Sequence, residues 1–466
     1  MSANVTNADW AAVLPIALLA ATGLVVLVVD LLARTFVRRY VGIGIAAIGA
    51  IGTGVLVFLQ FGTHGTAFGG AFVVDDASLL FQGIVLAATL GSVVLYGAIG
   101  ENRHVAGALA LMLWSACGAM LMSGAGNLMT IFLGLELLSL ALYALCGMAE
   151  RKGAHEAALK YLILSSTATG FLLYGMALLF GATGSVALSA LSNPALGTNA
   201  TFWIGVGLFF VGVAFKLSLV PFHTWAPDVY EGAPLPVTAF MSVATKAGVL
   251  AVLVRVFLWS LPSQHASALL LPVWIVAGIS MIVGNVGMLS QRDLKRMLAY
   301  SGIAQIGYIL TALAGGAQGL NAALYYFVAY SFMNLGAFAV AAMLSGEGEE
   351  GSLLANFSGL GYRRPWAAFA MTVLLLAMAG LPPTAGFLGK VLILRSSVAT
   401  GYVWLGVLLI AGTAISLYAY GRIVRAMYDR VEHPVHDARP FVPLAAISAA
   451  ICTIAVIALT FYPFTR

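Results

Sequence analysis

Fourteen apolar stretches follow one another along the 466-residue chain, and they restrict its possible folds more than any other feature. About 20 apolar residues in a helix span the roughly 30 Å hydrocarbon core of a bilayer. Inside that core, backbone polar groups must be paired within the protein, which leaves helices and closed barrels. The stretches lie near residues 12–33, 41–62, 77–98, 105–124, 127–148, 157–181, 202–230, 235–260, 267–290, 296–315, 321–345, 366–395, 401–424 and 442–463. The sequence therefore predicts an all-α polytopic membrane protein with about fourteen transmembrane helices.

Composition agrees with this class and excludes soluble ones. Hydrophobic residues make up 61% of the chain and charged residues only 8%, whereas soluble domains carry roughly 25% charged residues. The net charge of +5 would suggest a nucleic-acid partner in a soluble chain. Here the basic residues lie in short loops, where they set orientation in the membrane. We therefore expect the lipid bilayer, and no nucleic acid, as a partner.

The residues offer no site for a metal ion or a redox cofactor. Cys117, Cys146 and Cys452 lie in apolar stretches, without the spacing of zinc or iron–sulfur ligands. The spans contain no histidine pair for axial ligation, no phosphate-binding loop and no nucleophile constellation. The Glu-His-Pro-Val-His-Asp sequence at 432–437 is interpreted as a solvated loop, because nothing near it completes a ligand set. We expect the chain to carry charge without covalent chemistry.

Basic residues in the loops predict the orientation. If the fourteen spans alternate in direction, fifteen Lys and Arg residues lie on one side, and only Arg395 and Arg466 lie on the other. Cytoplasmic loops carry the excess of Lys and Arg, so the first side is cytoplasmic and both termini lie outside. The fifteen are Arg34, Arg38, Arg39, Arg103, Arg151, Lys152, Arg292, Lys295, Arg296, Arg363, Arg364, Arg422, Arg425, Arg430 and Arg439.

Spans four to eight and spans nine to thirteen form two blocks of five. A tandem repeat with an odd number of spans must be inverted in the membrane. We predict three N-terminal helices in residues 1–103, a first block in 104–262, a second, inverted block in 263–428, and a cytoplasmic loop with the last helix in 429–466. The patch Glu347-Gly-Glu349-Glu350 is interpreted as part of a solvated or subunit-contacting cytoplasmic linker.

The fourth span of each block is predicted to be a broken helix. In the first block, Lys216 lies deep in the span and Pro221 follows. A mid-bilayer lysine is unfavourable by about 2.5–3.5 kcal/mol and normally faces protein or water, and proline leaves carbonyls that need other partners. In the second block, the segment from Gly380 through Pro382 and Pro383 precedes Lys390. Interrupted helices at corresponding positions of two halves indicate a transport site.

Few formal charges lie well inside the spans. They are Glu136, Lys160, Lys216, Lys246, Arg255 and Lys390. An isolated carboxylate at Glu136 would take up a proton, and pairing with Lys216 would satisfy both groups. A purely structural ion pair is the alternative interpretation.

Lysines are better proton carriers than arginines, because a buried lysine can release its proton and an arginine does not. Lys246 lies among small and polar residues that can hold water, which favours it as a carrier, while Arg255 is expected to point outward to the interface. Lys160, one turn into its span, is either a proton inlet or a side chain that reaches to the interface. His223, just past the break, either feeds protons inward or is an ordinary helix-end histidine.

Three segments closely resemble the subunit N family of respiratory complex I, which has counterparts in mitochondria and plastids. They are Gly134-Leu-Glu136-Leu-Leu-Ser-Leu, residues 215–236, and Leu381-Pro-Pro-Thr-Ala-Gly-Phe-Leu-Gly-Lys390. The most specific is Pro-Phe-His-Thr-Trp-Ala-Pro-Asp-Val-Tyr-Glu-Gly-Ala-Pro, which begins at Pro221. The resemblance covers about residues 100 to 430. Sister subunits M and L look different: M places a glutamate near the position of Lys390, and L adds a lateral helix.

The resemblance implies a proton-translocating membrane-arm subunit of NADH-quinone oxidoreductase. In it, Glu136 would modulate the proton affinity of Lys216, and Lys246 would link to a second half-channel around Lys390. No cofactor would bind to this chain, since NADH, FMN, iron–sulfur clusters and quinone would bind to partner subunits. M-like and K-like membrane-arm neighbours and the bacterial inner (cell) membrane are also implied.

Other functions stay open from the residues alone. A stand-alone cation/proton antiporter would transport ions without an electron donor, and similar chains serve photosynthetic complexes fed by ferredoxin. A small-solute carrier should contain a roomy pocket at the membrane midplane. A purely structural membrane-arm subunit would tolerate the loss of every buried lysine.

Overall fold

Each of the fourteen apolar stretches contains α-helix in the computed structural model, which describes residues 5–32, 38–99, 104–150, 152–261, 263–313, 315–345, 351–430 and 442–461. The α-helices are α1 (Asn7–Leu32), α2 (Arg38–Leu59), α3 (Asp76–Ile99), α4 (Val105–Ser123), α5 (Leu128–Cys146), α6 (Lys152–Thr183), α7 (Ala200–Lys216), α8 (Trp225–Gly232), α9 (Leu235–Phe240), α10 (Lys246–Leu253), α11 (Ser263–Met288), α12 (Leu294–Leu313), α13 (Gly316–Met343), α14 (Leu360–Arg363), α15 (Pro365–Ala379), α16 (Ala385–Ala399), α17 (Val403–Tyr428) and α18 (Pro443–Phe461). Two strands, β1 (Gly65–Ala67) and β2 (Phe72–Val74), pair in an antiparallel hairpin between α2 and α3.

The all-α membrane class is confirmed. Among the described residues, eleven helical segments are long and apolar enough to cross a membrane by length and composition. The helices α7 and α15 are apolar but shorter, because each is one half of an interrupted span. The helix α12 falls outside the eleven and carries Lys295 and Arg296 in its first turn. The count of fourteen membrane crossings therefore stays a prediction.

Two compact units make up the fold. The first contains Met1–Val93, Asn102–Leu217 and Gly232–Leu269. The second contains Val94–Glu101, Ser218–Glu231 and Leu270–Arg466. The first unit therefore holds α4 to α7 with the eighth span, and the second holds α8 and α12 to α18. The predicted block boundaries and the inverted relation of the two blocks stay predictions. The predicted loops at 347–350 and 432–437 lie outside the described residues.

Both predicted helix interruptions are present. The helix α7 ends at Lys216, and Ser218 adopts a left-handed backbone with φ of 60° before α8 begins at Trp225. The helix α15 ends before Gly380, whose φ of 83° is a left-handed conformation that only glycine adopts easily. The Thr384 hydroxyl then accepts from the Phe387 amide, which starts α16. Local turn chemistry is therefore enough to break both spans.

The eighth span is not a regular α-helix. It consists of α9, a π-helical segment at Met241–Thr245, α10, and a second π-helical segment at Val254–Ser260. A π-helical turn carries i→i+5 hydrogen bonds and is frequent at functional sites. Lys246 directly follows the first π-helical segment, and Arg255 lies in the second. Nothing in the apolar periodicity of the span predicted these distortions.

Glycines bring α4 and α5 into backbone contact. A Cβ atom on Gly118 would lie 2.5 Å from the Gly134 carbonyl oxygen and 2.5 Å from the Leu138 amide nitrogen. Such an approach is possible only without a side chain, as in other membrane helix pairs with small residues at the crossing point. The crossing lies within one turn of Glu136 and Ser139, so it fixes the face of α5 that carries them.

Candidate functional site

Lys216 lies in a cage of hydroxyl groups within the first unit. Its side chain is buried, with 3% exposure, at the C-terminal end of α7. The Nζ atom donates to Ser139 Oγ at 2.7 Å, to Ser165 Oγ at 2.7 Å and to the Tyr161 hydroxyl at 3.3 Å. An ammonium group has three N–H donors. The cage therefore satisfies every donor of Lys216 with neutral acceptors.

Two tyrosine rings form a wall of this cage. The Lys216 Nζ atom lies 4.9 Å from the ring centroid of Tyr161 and 5.7 Å from that of Tyr143, within the range of cation–π attraction. Ser139 and Tyr143 are four residues apart in α5, and Tyr161 and Ser165 are four apart in α6. This spacing places each pair on one helix face. It is the signal by which the cage could have been found in the sequence.

Glu136 lies near Lys216 without touching it. Glu136 precedes Ser139 by three residues in α5, which places it on the helix face that contacts Lys216, and its buried Oε1 atom has no hydrogen-bond partner. Lys216 uses its three donors on Ser139, Tyr161 and Ser165. A direct ion pair between Glu136 and Lys216, expected from the sequence, is therefore not found among the described residues.

Lys246 is buried in the same unit, with 1% exposure, as the first residue of α10. Two residues later, Gly248 allows α10 to approach α4: a Cβ atom there would lie 2.8 Å from Met122 Cε and 3.0 Å from Ala119 Cα. Lys246 is therefore buried where α10 packs closely against α4, directly after a π-helical segment.

Lys390 belongs to the second unit and is also buried, with 4% exposure. Its Nζ atom donates to the carbonyl oxygens of Met378 at 3.1 Å and Ala379 at 3.0 Å. These carbonyls lie at the C-terminal end of α15, where the helix interruption leaves them without helical partners and where the helix dipole favours a cation. The Tyr308 ring centroid lies 4.8 Å from the same nitrogen. The break therefore supplies both ligands of the Lys390 amine.

A buried polar cluster adjoins Lys390. Ser301, Gln305 and Tyr308 follow one face of α12 at spacings of four and three residues. Gln305 Nε2 donates to the Met378 carbonyl at 3.4 Å, the same oxygen that accepts from Lys390, and Gln305 Oε1 accepts from the Tyr326 hydroxyl. Our sequence reasoning missed this cluster, although the polar stripe on an apolar span was a usable signal.

Two further hydrogen bonds extend this cluster. Asn285 Nδ2 donates to the Tyr308 hydroxyl at 2.8 Å, and the Ser301 and Tyr420 hydroxyls are 2.6 Å apart. The Asn285 Oδ1 atom is buried without a hydrogen-bond partner. Neutral polar groups therefore adjoin Lys390 inside the second unit, through the Tyr308 ring and through the Met378 carbonyl that Gln305 shares.

The two residues predicted at the inlet differ in their surroundings. Lys160 pairs with Glu156 one turn away, at 2.7 Å, and the two side chains are 42% and 66% exposed. Lys160 therefore lies at an exposed position of α6, and both interpretations of it, as a proton inlet or as an interface side chain, stay predictions. His223 is half-buried in the turn before α8, and its Nδ1 atom is buried without a hydrogen-bond partner. Its inlet role stays a prediction.

The expectation that Arg255 points outward was wrong. Its side chain is buried and its Nη2 atom lies 2.9 Å from Asp75 Oδ2. The error arose because Asp75 precedes α3 and is 180 positions away in sequence. Only the tertiary fold brings this carboxylate to the guanidinium.

Two acidic residues of the most specific motif have a structural role. Arg296 Nη1 donates to Asp228 Oδ1 at 2.7 Å and to Glu231 Oε2 at 2.8 Å. These contacts tie α8 to the first turn of α12 within the second unit. In the loop just before α12, burial raises the pKa of Asp293, and the Ser352 hydroxyl donates to it at 2.5 Å. Within the described ranges, no group of three His, Cys, Asp or Glu residues could hold a metal ion.

Comparison of the sequence with known families identifies relatives along most of the chain. The family model described as "NADH:quinone oxidoreductase/Mrp antiporter, TM" matches residues 125–416. "NADH-quinone oxidoreductase subunit N 1" of Symbiobacterium thermophilum is 41% identical over 459 residues, covering 95% of this chain and 93% of that protein. "NADH-quinone oxidoreductase subunit N" of Trichlorobacter lovleyi is 40% identical over 428 residues, covering 89% and 87%.

Solved structures share the fold. A chain of respiratory complex I from Thermus thermophilus with bound aureothin superposes with a TM-score of 0.83 at 32% identity, covering 96% of this chain and 97% of that one. A chain of the Mrp complex from Dietzia sp. superposes with a TM-score of 0.84 at 21% identity, covering 98% and 95%, and shows the fold alone. The chain therefore belongs to the antiporter-like transmembrane family of NADH:quinone oxidoreductase, among its subunit N members.

Proposed function

We propose that the chain moves protons across the membrane as a membrane-arm subunit of NADH-quinone oxidoreductase, through a relay of Glu136, Lys216, Lys246 and Lys390. The observation that carries this proposal is the neutral cage around Lys216. A buried lysine in direct contact with a carboxylate would hold its proton tightly. Lys216 instead has three hydroxyl partners, with the carboxylate of Glu136 at longer range.

Hydroxyl partners suit a group that changes its protonation state. A serine or tyrosine hydroxyl accepts from an ammonium group and can turn to donate to a neutral amine. Ser139 and Ser165 can therefore satisfy Lys216 both before and after it releases a proton. A carboxylate at Glu136, whenever it is ionised, would favour the ammonium form through space. Movement or neutralisation of Glu136 would then favour proton release toward Lys246.

Lys390 is also suited to both protonation states. The carbonyls of Met378 and Ala379 can only accept hydrogen bonds. A neutral amine still has two N–H donors, so it keeps both bonds after losing one proton. The third proton of the ammonium form makes no hydrogen bond among the described residues, and the Tyr308 ring lies beside it. The amine can therefore exchange that proton without losing its two ligands.

The electron-transfer chemistry belongs to other subunits in this proposal. NADH, FMN, iron–sulfur clusters and quinone would bind to partner subunits, and M-like and K-like subunits would flank this chain in the membrane arm. The proposed membrane is the bacterial cell membrane, with both termini on the periplasmic side. The relatives named subunit N, and the similar complex I chain, support this assignment.

The test replaces Lys216 by a group that keeps the charge but does not release the proton. We expect Lys216→Arg to assemble normally and to pump about as poorly as Lys216→Ala, because a guanidinium stays protonated in proteins. Glu136→Gln should also be impaired. The measurement is NADH-driven acidification of inverted vesicles, divided by the rate of NADH oxidation. Copurification with the NADH-oxidising subunits verifies that the complex is intact.

Lys152→Arg is the matched control, since it makes the same chemical change at an exposed position at the start of α6. It should pump normally. Full pumping by Lys216→Arg in an intact complex would contradict the relay and leave the buried lysine with a structural role.

A further inference from the structure

Arg255 and Asp75 form a buried ion pair in the first unit that the proposed relay does not use. Arg255 Nη2 lies 2.9 Å from both carboxylate oxygens of Asp75, and Arg255 Nε donates to the Ser123 carbonyl at 2.8 Å. The two charged side chains are 8% and 25% exposed. Asp75 Oδ1 also accepts from the Ser78 amide at the start of α3. The guanidinium therefore joins the eighth span to the end of α4 and the start of α3.

Backbone hydrogen bonds enclose the neighbouring turn between α4 and α5. On one side, the turn binds the β-hairpin. The Val73 amide of the hairpin donates to the Gly124 carbonyl at 2.7 Å, and the Gly126 amide donates to the Ala71 carbonyl of the hairpin at 2.9 Å. A Cβ atom on Gly126 would collide with the Gly70 carbonyl oxygen, so the hairpin packs directly on this turn. On the other side, the turn binds the segment that follows α6. The Leu128 amide donates to the Val186 carbonyl at 2.8 Å, and the Leu188 amide donates to the Gly126 carbonyl at 3.1 Å. The β-hairpin, the α4–α5 turn and residues 186–188 are therefore hydrogen-bonded together at this end of the first unit.

Arg255 lies between Lys246 and this end of the first unit. It follows Lys246 by nine residues in the same span, which corresponds to about 13 Å along a helix axis. In the proposed orientation, the eighth span runs from the cytoplasm outward, and the β-hairpin and the α4–α5 turn lie on the periplasmic side. Arg255 is thus the charged residue of the span on the periplasmic side of Lys246.

We propose that Arg255, held by Asp75 and the Ser123 carbonyl, is a barrier that prevents protons on Lys216 and Lys246 from leaving the first unit to the periplasm. A guanidinium does not release its proton, so it cannot pass one along. Asp75 balances its charge, and the paired groups join the eighth span to α3 and to the end of α4, so that water that could carry protons past them would be excluded. This inference rests on the proposed relay and its orientation, and it assigns the first unit a closed outer end.

The test neutralises the barrier without leaving one buried charge unpaired. The double variant Asp75→Asn/Arg255→Gln replaces both charged groups by neutral amides that can still hydrogen-bond. The single variant Arg255→Gln leaves Asp75 buried without its partner, so it is secondary. Arg425→Gln is the control, because Arg425 also pairs with an aspartate, Asp429, but is 84% exposed. Copurification and NADH–quinone turnover verify that each complex is assembled.

The measurement is the rate at which the pH difference across inverted vesicles decays after NADH is exhausted. We expect the double variant to accelerate this decay about threefold or more, because neutral amides hold the three segments together more weakly than the charged pair and would admit water. Arg425→Gln should decay at the wild-type rate. Adding Lys216→Met to the double variant should restore the slow decay, because the leak then lacks its relay group.

Two results would overturn the barrier. One is an unchanged decay rate in the assembled double variant, and the other is a fast decay that Lys216→Met does not slow. Failure of the barrier and failure of the relay are distinguishable. A normal decay rate in the double variant, combined with poor pumping by Lys216→Arg, would refute only the barrier proposal and leave the relay supported. Suppose instead that the double variant leaks, that Lys216→Met suppresses this leak, and that Lys216→Arg pumps fully. This result would support the barrier proposal and refute the proposed role of Lys216 in pumping.

Discussion

At the scale of single residues, the buried lysines differ in their ligands. Lys216 donates to hydroxyls, which can reverse the direction of a hydrogen bond, whereas Lys390 donates to carbonyls, which cannot. A hydroxyl cage adapts to gain or loss of a proton by rotation. A carbonyl pair keeps the amine in place through both states. Lys216 is therefore the better candidate for the group that Glu136 controls, and Lys390 for a fixed relay position.

The ligands of Lys390 lead to a prediction about its substitution. We expect Lys390→Glu to retain part of the pumping, because a protonated carboxyl can donate one hydrogen bond to the α15 carbonyls and can still relay a proton. Lys390→Ala should lose about tenfold or more, since it has no proton-transfer group. Acidification of inverted vesicles per NADH oxidised distinguishes the two. Equal pumping by both variants would show that the relay does not pass through this position.

At the scale of elements, each broken span carries its lysine beside the break. Lys216 is the last residue of α7 and therefore precedes its break. Lys390 lies in α16, after its break, and its amine contacts the end of α15 before the break. In the second case Gly380 makes the contact possible. A Cβ atom on this glycine would lie 2.8 Å from Lys390 Cδ.

Two glycines with the same backbone conformation allow the role of this contact to be isolated. Gly380 and Gly401 have φ of 83° and 82°, but a Cβ atom on Gly401 would meet no atom within 4 Å. Alanine at either position should destabilise the fold by about 1–2 kcal/mol through the left-handed backbone. Only Gly380→Ala should also reduce pumping per assembled complex, because it displaces Lys390. Equal effects of Gly380→Ala and Gly401→Ala on vesicle acidification would refute this role.

At the scale of the whole molecule, two of the arginines from which the orientation is predicted also bind carbonyls at helix ends. Arg422 donates to the carbonyls of Leu289 and Gln291 at 2.7 and 2.9 Å, next to the end of α11. Arg364 donates to the Met343 carbonyl at the end of α13, at 2.6 Å. Cations at helix C-termini interact favourably with the exposed carbonyls. Both residues therefore stabilise the local structure, and their role in orientation stays a prediction.

The distribution of basic residues predicts that both termini face the periplasm. An alkaline phosphatase fused after Arg466 should be active, because the enzyme folds only outside the cytoplasm, and a fusion at Lys152 should be inactive. Fusion activity normalised to the amount of fusion protein is the measurement. An inactive fusion at Arg466 together with an active one at Lys152 would reverse the orientation, and with it the side on which Arg255 closes the first unit.

The sequence by itself determined the features that depend on local order. Apolar stretches located the helices, and Ser, Gly and Pro around Pro221 and Pro382 located both breaks, because turn preferences act over a few residues. It also identified Glu136, Lys216, Lys246 and Lys390 as buried ionisable groups, because so few charges lie in the spans. Roles for these four groups came from the resemblance and stay proposals.

Only the tertiary structure decided which groups meet. The cage of Lys216 joins residues 77, 55 and 51 positions apart, and the Arg255–Asp75 pair joins residues 180 positions apart. No local pattern specifies such contacts, because they depend on how whole helices pack. For the same reason the sequence of its own span led us to expect Arg255 at the interface. Packing instead buried Arg255 and placed the partly exposed carboxylate of Asp75 beside it.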